Sequence, residues 1–181
     1  MSDIIKRKDE HLEINVNRDV RSGLTTGFEK YSFVHQALPE LDLGEISTET
    51  VFLGKQLRIP LLISSMTGGT QTGEMFNQRL AEAANATGIA MGVGSQRADI
   101  ENWHTGKRSR IREIAQKIPL LASLGASQWN YGFTLEECQK AVEMIEADAL
   151  ILHLNPLQEA LQPEGETNFS GLSGKIEQVC R

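Results

Sequence analysis

Four short apolar runs punctuate the chain at a near-constant interval. They are PLLISS from Pro60, GIAMGVGS from Gly88, PLLASLG from Pro119 and ADALILHLN from Ala147, with starts 28, 31 and 28 residues apart. Each has the length of a strand buried on both faces, and none alternates apolar with polar positions. Helical spacing fills the intervals. After the first run, Phe76, Leu80, Ala83, Ala84 and Thr87 fall on one stripe, with Thr72 as N-cap and Gly88 as stop. After the second, Ile111, Ile114, Ala115 and Ile118 share a face that Pro119 ends. After the third, Thr134-Leu135-Glu136-Glu137 is a capping box leading into Cys138, Val142 and Ile145. After the fourth, Leu172, Ile176, Val179 and Cys180 mark a last helix. Repeated strand–helix units predict parallel strands joined by right-handed crossovers. Two architectures satisfy the pattern: a doubly wound open sheet, or a (β/α)8 barrel of which only about the first four units lie in this chain.

Residues 1–58 precede the repeat. They carry a basic opening (Lys6-Arg7-Lys8, with His11), a loop-rich stretch from Arg21 to Gly44, and the hairpin-like TVFLGKQL with a turn at Gly54-Lys55. The division expected is an N-terminal extension over 1–58, whose hairpin closes the bottom of the barrel, and the first half of a flavin-binding barrel over 59–181, a single incomplete domain.

Composition narrows the class. The chain has 181 residues, a formal net charge of −6 and 40% hydrophobic residues, which is globular composition. The acidity argues against a surface built for nucleic acid. The longest apolar stretches, Leu61–Ile63 and Ala149–Leu152, fall far short of the roughly 20 residues of a membrane span. The charged opening MSDIIKRKDEHLE lacks the apolar core of a secretory signal. Cys138 and Cys180 make neither a disulfide framework nor a metal site, so a reducing, cytoplasmic location is expected.

Candidate chemistry clusters by position. In parallel α/β folds, sites lie at the carboxyl ends of strands. Each predicted strand here ends in a polar or Gly-rich segment: Ser64–Thr70, Gly94–Arg97, Ser123–Gln128 and His153–Glu159. Met66-Thr67-Gly68-Gly69 offers backbone N–H groups and little bulk, suited to a planar cofactor or an anion, or simply a Gly-Gly turn. Neither the GxGxxG nor the GxxxxGK[ST] fingerprint is present. Arg97, beside Ser95 and Gln96, suits bidentate phosphate binding, although alone it reads more simply as a surface residue paired with Asp99 or Glu101. His153 and Asn155 lie two apart on one side of a strand; a His after ALIL is commonly a core residue. Glu159 makes sense as a Mg2+ ligand only alongside a phosphorylated substrate. Lys6–Lys8 fits a solvated N-terminal helix. Trp103, His104, Lys107, Arg108 and Arg110 form a second basic patch that covers a helix start, and Trp129 and Tyr131 read as packing.

Taken together, RKDEHL (Arg7–Leu12), SSMTGG (Ser64–Gly69), GSQR (Gly94–Arg97), HLNPLQE (His153–Glu159) and QPEGETNF (Gln162–Phe169), in this order, make the chain resemble the type 2 isopentenyl-diphosphate isomerases. That flavin-dependent family interconverts isopentenyl and dimethylallyl diphosphates in isoprenoid biosynthesis. The resemblance implies a (β/α)8 TIM-type barrel carrying FMN and Mg2+, with NADPH as reductant. Arg7 and Lys8 would hold the diphosphate, and Ser95, Gln96, Arg97 and Gln158 would line the substrate site. Ser65, Met66, Thr67, Gly68, Ser95 and Ser123 would contact FMN. His153, Asn155 and Gln158 would surround the reacting group, and Glu159 would ligate Mg2+. The reduced flavin would be the acid–base agent, which suits a chain with no obvious carboxylate pair for protonating an alkene. The family implies a homotetramer or octamer acting on a small diphosphate, with no nucleic acid or membrane partner.

Two departures from the family pattern bear on this. Ser123 stands where the family has an Asn, so weaker FMN binding is expected. The chain also stops at Arg181, before further strands, so poor FMN binding and little activity are expected of it alone. A non-catalytic half-barrel, either a remnant or a partner subunit, shares the same residues. A flavin oxidase of the same fold would act on oxygen and ignore diphosphates.

Overall fold

The structure, a computed structural model, describes residues 3–101 and 110–181. Trp103, His104, Lys107 and Arg108 of the second basic patch lie outside them.

Helix α1 (Asp3–Asn17) opens the chain. A long stretch follows, exposed almost throughout and carrying two short 3-10 turns, up to the hairpin of β1 (Thr50–Phe52) and β2 (Lys55–Leu57). Leu53 and Gly54 make the turn, both at positive φ (51° and 74°), the backbone of a tight two-residue hairpin loop. Four strand–helix units come next: β3 (Leu62–Ile63) and α2 (Gln71–Thr87); β4 (Ala90–Gly92) with the short α3 (Arg97–Glu101) and α4 (Ile111–Ile114); β5 (Leu120–Gly125) and α5 (Leu135–Ile145); and β6 (Ala149–His153) with α6 (Pro156–Leu161) and α7 (Leu172–Cys180).

The four strands are parallel and pair in chain order, β3-β4-β5-β6. This corrects the barrel expectation. A barrel must close on itself, whereas here β3 and β6 each have one neighbour and the sheet is open. Nor is it the doubly wound sheet the spacing also allowed: the strands run in simple chain order, with no reversal of strand order, and α2 and α5 pack on the same face. Its edges explain the burial. Central strands β4 and β5 are buried at every position, while β6 is half-buried along its length and Leu62 of β3 is exposed. The first and fourth apolar runs therefore form half-covered edge strands, not strands buried on both faces.

The core lies on one face of the sheet. Met91, Leu120, Ala122 and Leu124 pack against Ala81 and Ala84 of α2 and Cys138, Ala141 and Met144 of α5. Alternate residues of β5 and β6, Ser123, Gly125, Ile151 and His153, point to the other face, where a cavity opens.

Helix α2 starts at Thr70, whose side chain accepts from Gly73 N, so Thr70 and not Thr72 is the cap. It ends at Gly88, as expected, with φ 70°. Its buried face runs through Gly73, Asn77, Ala81 and Ala84, rotated from the predicted stripe; Phe76, Ala83 and Thr87 are exposed. The capping box of α5 forms, with the Glu137 carboxylate accepting from Thr134 N at 2.8 Å. At the amino ends of the strands, Asp148 accepts from Lys55 Nζ, Arg112 Nη2 and Leu120 N, pinning the hairpin to β5 and β6. Desolvation pushes the Asp148 carboxyl up, but these three donors outweigh it and hold it below its ordinary value.

Candidate active site at the carboxyl ends of the parallel strands

A cavity of about 460 Å3 opens at the carboxyl ends of β3–β6, within the range that holds small-molecule ligands. Its position follows from the sheet. Every parallel strand delivers its last residues to the same end, and only the face away from α2 and α5 has room. The segment after β3 supplies Ser64–Thr67, and the segment after β4 supplies Ser95 and Arg97. Strand β5 and its polar tail supply Ser123, Gly125, Ser127 and Gln128; β6 and α6 supply His153, Asn155, Gln158 and Glu159.

Helix α1 closes one side with Arg7, Lys8 and His11. The Lys8 ammonium donates to Gly68 O at 2.6 Å and Ser95 O at 3.0 Å, so it sits between the carboxyl ends of β3 and β4. At Gly69, φ 75°, an added Cβ would lie 2.6 Å from Ala98 Cβ and 3.1 Å from Lys8 Nζ, so the glycine lets this segment pack closely against α3 and α1. Arg7 donates to Gln162 Oε1 at 2.9 Å, which ties α1 to the far side of the opening. Burial pulls the Lys8 pKa down to about 8, and Arg7 and Arg97 add to this against Asp99 and Glu101.

A lysine depressed from 10.5 to about 8 takes up its proton less readily than in the unfolded chain. The fold at this point therefore gains stability as pH rises from about 8 to 10.5, while the charge available to an anion is already lost as pH passes through about 8. Inorganic pyrophosphate is expected to bind the chain more weakly as pH climbs through about 8, and Lys8→Met is expected to remove that dependence. Calorimetric titrations between about pH 7 and 10 check this; equal pH dependence in the variant contradicts it.

Opposite α1, a polar chain runs through β6 and α6. Asn155 Nδ2 donates to Glu159 Oε1 at 2.7 Å, and Glu166 N donates to Glu159 Oε2 at 2.7 Å. A carboxylate offers about four acceptor positions, so Glu159 retains capacity on both oxygens. His153 Nδ1 lies 3.1 Å from Ser123 Oγ. Burial lowers the His153 pKa, with Lys8 adding to it and Glu159 opposing it, so the imidazole is held toward its neutral form.

The cavity thus brings together Arg7, Lys8, Ser65, Met66, Thr67, Ser95, Arg97, Ser123, His153, Asn155, Gln158 and Glu159. Gly68 sits just behind the wall, where its carbonyl receives Lys8. Gln96 does not line it. Its side chain turns to the core face, donating to Ala141 O at 2.8 Å and accepting from Ser123 N at 3.1 Å, and only 1% of the residue is exposed. Neighbours in extended chain face opposite ways, so Ser95 meets the cavity and Gln96 the α5 layer.

Three further polar residues reach the cavity without having been given a site role from the sequence, His11 having stood there only in the basic opening. His11 stands three residues beyond Lys8 on α1, Gln128 belongs to the polar tail of β5, and Glu166 lies within QPEGETNF. The helical spacing of Lys8 and His11 is the signal that finds the first.

Two buried polar atoms on the cavity wall, Ser65 Oγ and Asn155 Oδ1, have no hydrogen-bond partner among the described residues. Buried hydroxyl and amide oxygens are normally satisfied, so both are open to a polar partner from the cavity. Hydroxyls at Ser65, Thr67, Ser95 and Ser123 with the Met66 side chain fit a flat, polar heterocycle such as a flavin. Glu159 fits Mg2+ shared with a phosphate: among the described residues no three acidic, His or Cys side chains form a metal cage, and Mg2+ commonly takes one or two carboxylates plus substrate oxygens.

No family model matches the chain. Over 175 residues it is 54% identical to a protein of Rickettsia rickettsii (strain Sheila Smith) named isopentenyl-diphosphate delta-isomerase, covering 97% of this chain and 51% of that protein. The chain is similar to isopentenyl-diphosphate delta-isomerases. Proteins of the same name from Rickettsia africae (strain ESF-5) and Rickettsia prowazekii (strain Madrid E) are 53% and 51% identical over the same shares. The chain spans about half the length of the curated relatives it matches. No helix among the described residues is long and apolar enough to cross a membrane.

Proposed function

We propose that the cavity binds isopentenyl and dimethylallyl diphosphates and supports their interconversion by the flavin-dependent (type 2) route. The observation that carries this is the juxtaposition of Lys8 and Arg7 on α1 with Glu159 on α6 across one cavity. Cations on one wall and a carboxylate with spare acceptor capacity on the other suit a diphosphate and its Mg2+. The relatives' name points to the same substrate.

In this proposal Arg7 and Lys8 grip the diphosphate, Arg97 at the start of α3 offers it a further donor while held by Glu101 and Glu166, and Glu159 would hold Mg2+. That grip is remote from the reacting carbons and holds the alkene in place for the proton shift. Ser65, Met66, Thr67, Gly68 and Ser95 would hold FMN. Ser123 would touch it with a hydroxyl already within reach of His153 Nδ1. When bound, the reduced FMN, supplied with electrons by NADPH, serves as proton donor and acceptor in a redox-neutral shift of one C=C bond. His153, half-buried and held toward its neutral form, would orient the allylic portion together with Asn155 and Gln158.

The test is conversion of isopentenyl to dimethylallyl diphosphate by the chain, followed by NMR of the products, with Mg2+ and with FMN that is absent, oxidised or reduced. Conversion that requires reduced FMN supports the proposal. Conversion without flavin overturns the flavin route, and neither conversion nor diphosphate binding overturns the assignment as a whole.

A further inference from the structure

We propose that Glu166 is a positioning residue that locks the cationic wall of the cavity to its metal-binding wall. The inference rests on the reading above, in which Arg97 meets the diphosphate and Glu159 its Mg2+.

Glu166 lies in the loop between α6 and α7 and is 8% exposed, rare for a carboxylate unless it is paired. Its Oε1 meets Arg97 Nη1 at 2.6 Å. Its Oε2 accepts a long bond from Ser127 Oγ at 3.5 Å. Its backbone N–H donates to Glu159 Oε2 at 2.7 Å. One residue therefore holds Arg97 through its side chain and Glu159 through its main chain.

The loop is built for that double grip. Gly165 N bonds Gln162 O at 3.1 Å, and a Cβ on Gly165 would collide with the carbonyl oxygen of Glu159. Only glycine lets residue 166 reach the Glu159 carboxylate. On the other side of Arg97, Nε meets Glu101 Oε1 at 2.8 Å. Two carboxylates on two edges fix the plane of the guanidinium, where one alone would let it swing. A buried ion pair is weak evidence for stability, because an apolar pair of similar volume commonly serves as well. Its value here is geometric: it sets the distance between a cation and a metal ligand that must hold the same diphosphate.

A simple charge argument predicts the opposite outcome. Removing the Glu166 charge leaves Arg97 less neutralised and should tighten anion binding. Positioning predicts weakening. Glu166→Gln preserves the backbone N–H and the shape, and should weaken binding of isopentenyl diphosphate in the presence of Mg2+ roughly tenfold by calorimetry. Glu166→Asp should recover part of the loss. In an Arg97→Gln background, Glu166→Gln should have no further effect, which a general loss of folding would not produce. A second readout, the Nη resonances of Arg97, should move toward those of a free guanidinium in Glu166→Gln while Nε, held by Glu101, stays in place, even if affinity measurements are compromised by stability.

Equal or tighter binding by Glu166→Gln, or additive losses in the double variant, overturns the role of Glu166 while leaving the proposed function standing. Absence of diphosphate binding by the unaltered chain overturns both.

Discussion

Glu159→Gln is expected to cut magnesium-dependent binding of isopentenyl diphosphate by roughly 100- to 1000-fold. Removing one unit charge about 4 Å from a cation, at an effective dielectric of about 20, forfeits about 4 kcal/mol per unit of partner charge before solvent compensates. The change also disturbs the cavity wall. Both carboxylate oxygens accept hydrogen bonds, from Asn155 Nδ2 and from Glu166 N. A glutamine offers one oxygen and one NH2, so one of those donors must face another donor. Glu159→Asp keeps the charge on a shorter arm and should retain part of the metal dependence. Calorimetric titration over a range of Mg2+ concentrations measures this, and a Gln variant that binds as the unaltered chain does would contradict the assignment of Glu159.

Gly94→Ala, in the segment just after β4, is expected to be strongly destabilising. A Cβ at Gly94 would lie 2.5 Å from Ser65 Cβ, 2.8 Å from Ser65 C and 3.0 Å from Met66 N. Two of these are backbone atoms, so no side-chain rotation relieves the clash and the segment after β3 must move away from β4. Overpacking of this kind costs about 1–3 kcal/mol, or about 2–12 °C in Tm for a chain of this size. Gly174→Ala is the control. It sits inside α7 with nothing within 4 Å of the added atom, and should be neutral or gain up to about 1 kcal/mol. Thermal unfolding of both variants is the check; equal midpoints would mean that β3 and β4 do not approach as described.

Local features of the chain were legible because local physics sets them. The Thr134 capping box and the Gly88 stop depend on a few neighbouring residues and are found where the sequence puts them. The polar tails of the four apolar runs meet at one end because parallel strands share a direction.

What escaped the sequence depends on distant contacts. The buried face of α2 includes Asn77, whose Nδ2 donates to Thr67 O at 2.9 Å, and Gly73. A search for apolar periodicity passes over both and settles on a rotated stripe. Barrel closure is invisible to spacing, since an open and a closed parallel sheet have the same strand–helix rhythm. Gln96 was grouped with Ser95 and Arg97 by adjacency, yet alternation along extended chain turns it to the core. Glu166 sat unread inside a recognised motif because its role is to reach two residues, Arg97 and Glu159, that lie 69 and 7 positions away.

The central claim is that α1 and the carboxyl ends of β3–β6 build one diphosphate site. It is tested most directly by titrating 15N-labelled chain with isopentenyl diphosphate and Mg2+ and following the amide resonances. The account predicts saturable shifts at Lys8, Ser65, Ser95, His153 and Glu159 together, with Arg112 and Glu143 at the opposite end unmoved. Shifts confined to the Arg112–Glu143 end, or no shifts at saturating ligand, would contradict it.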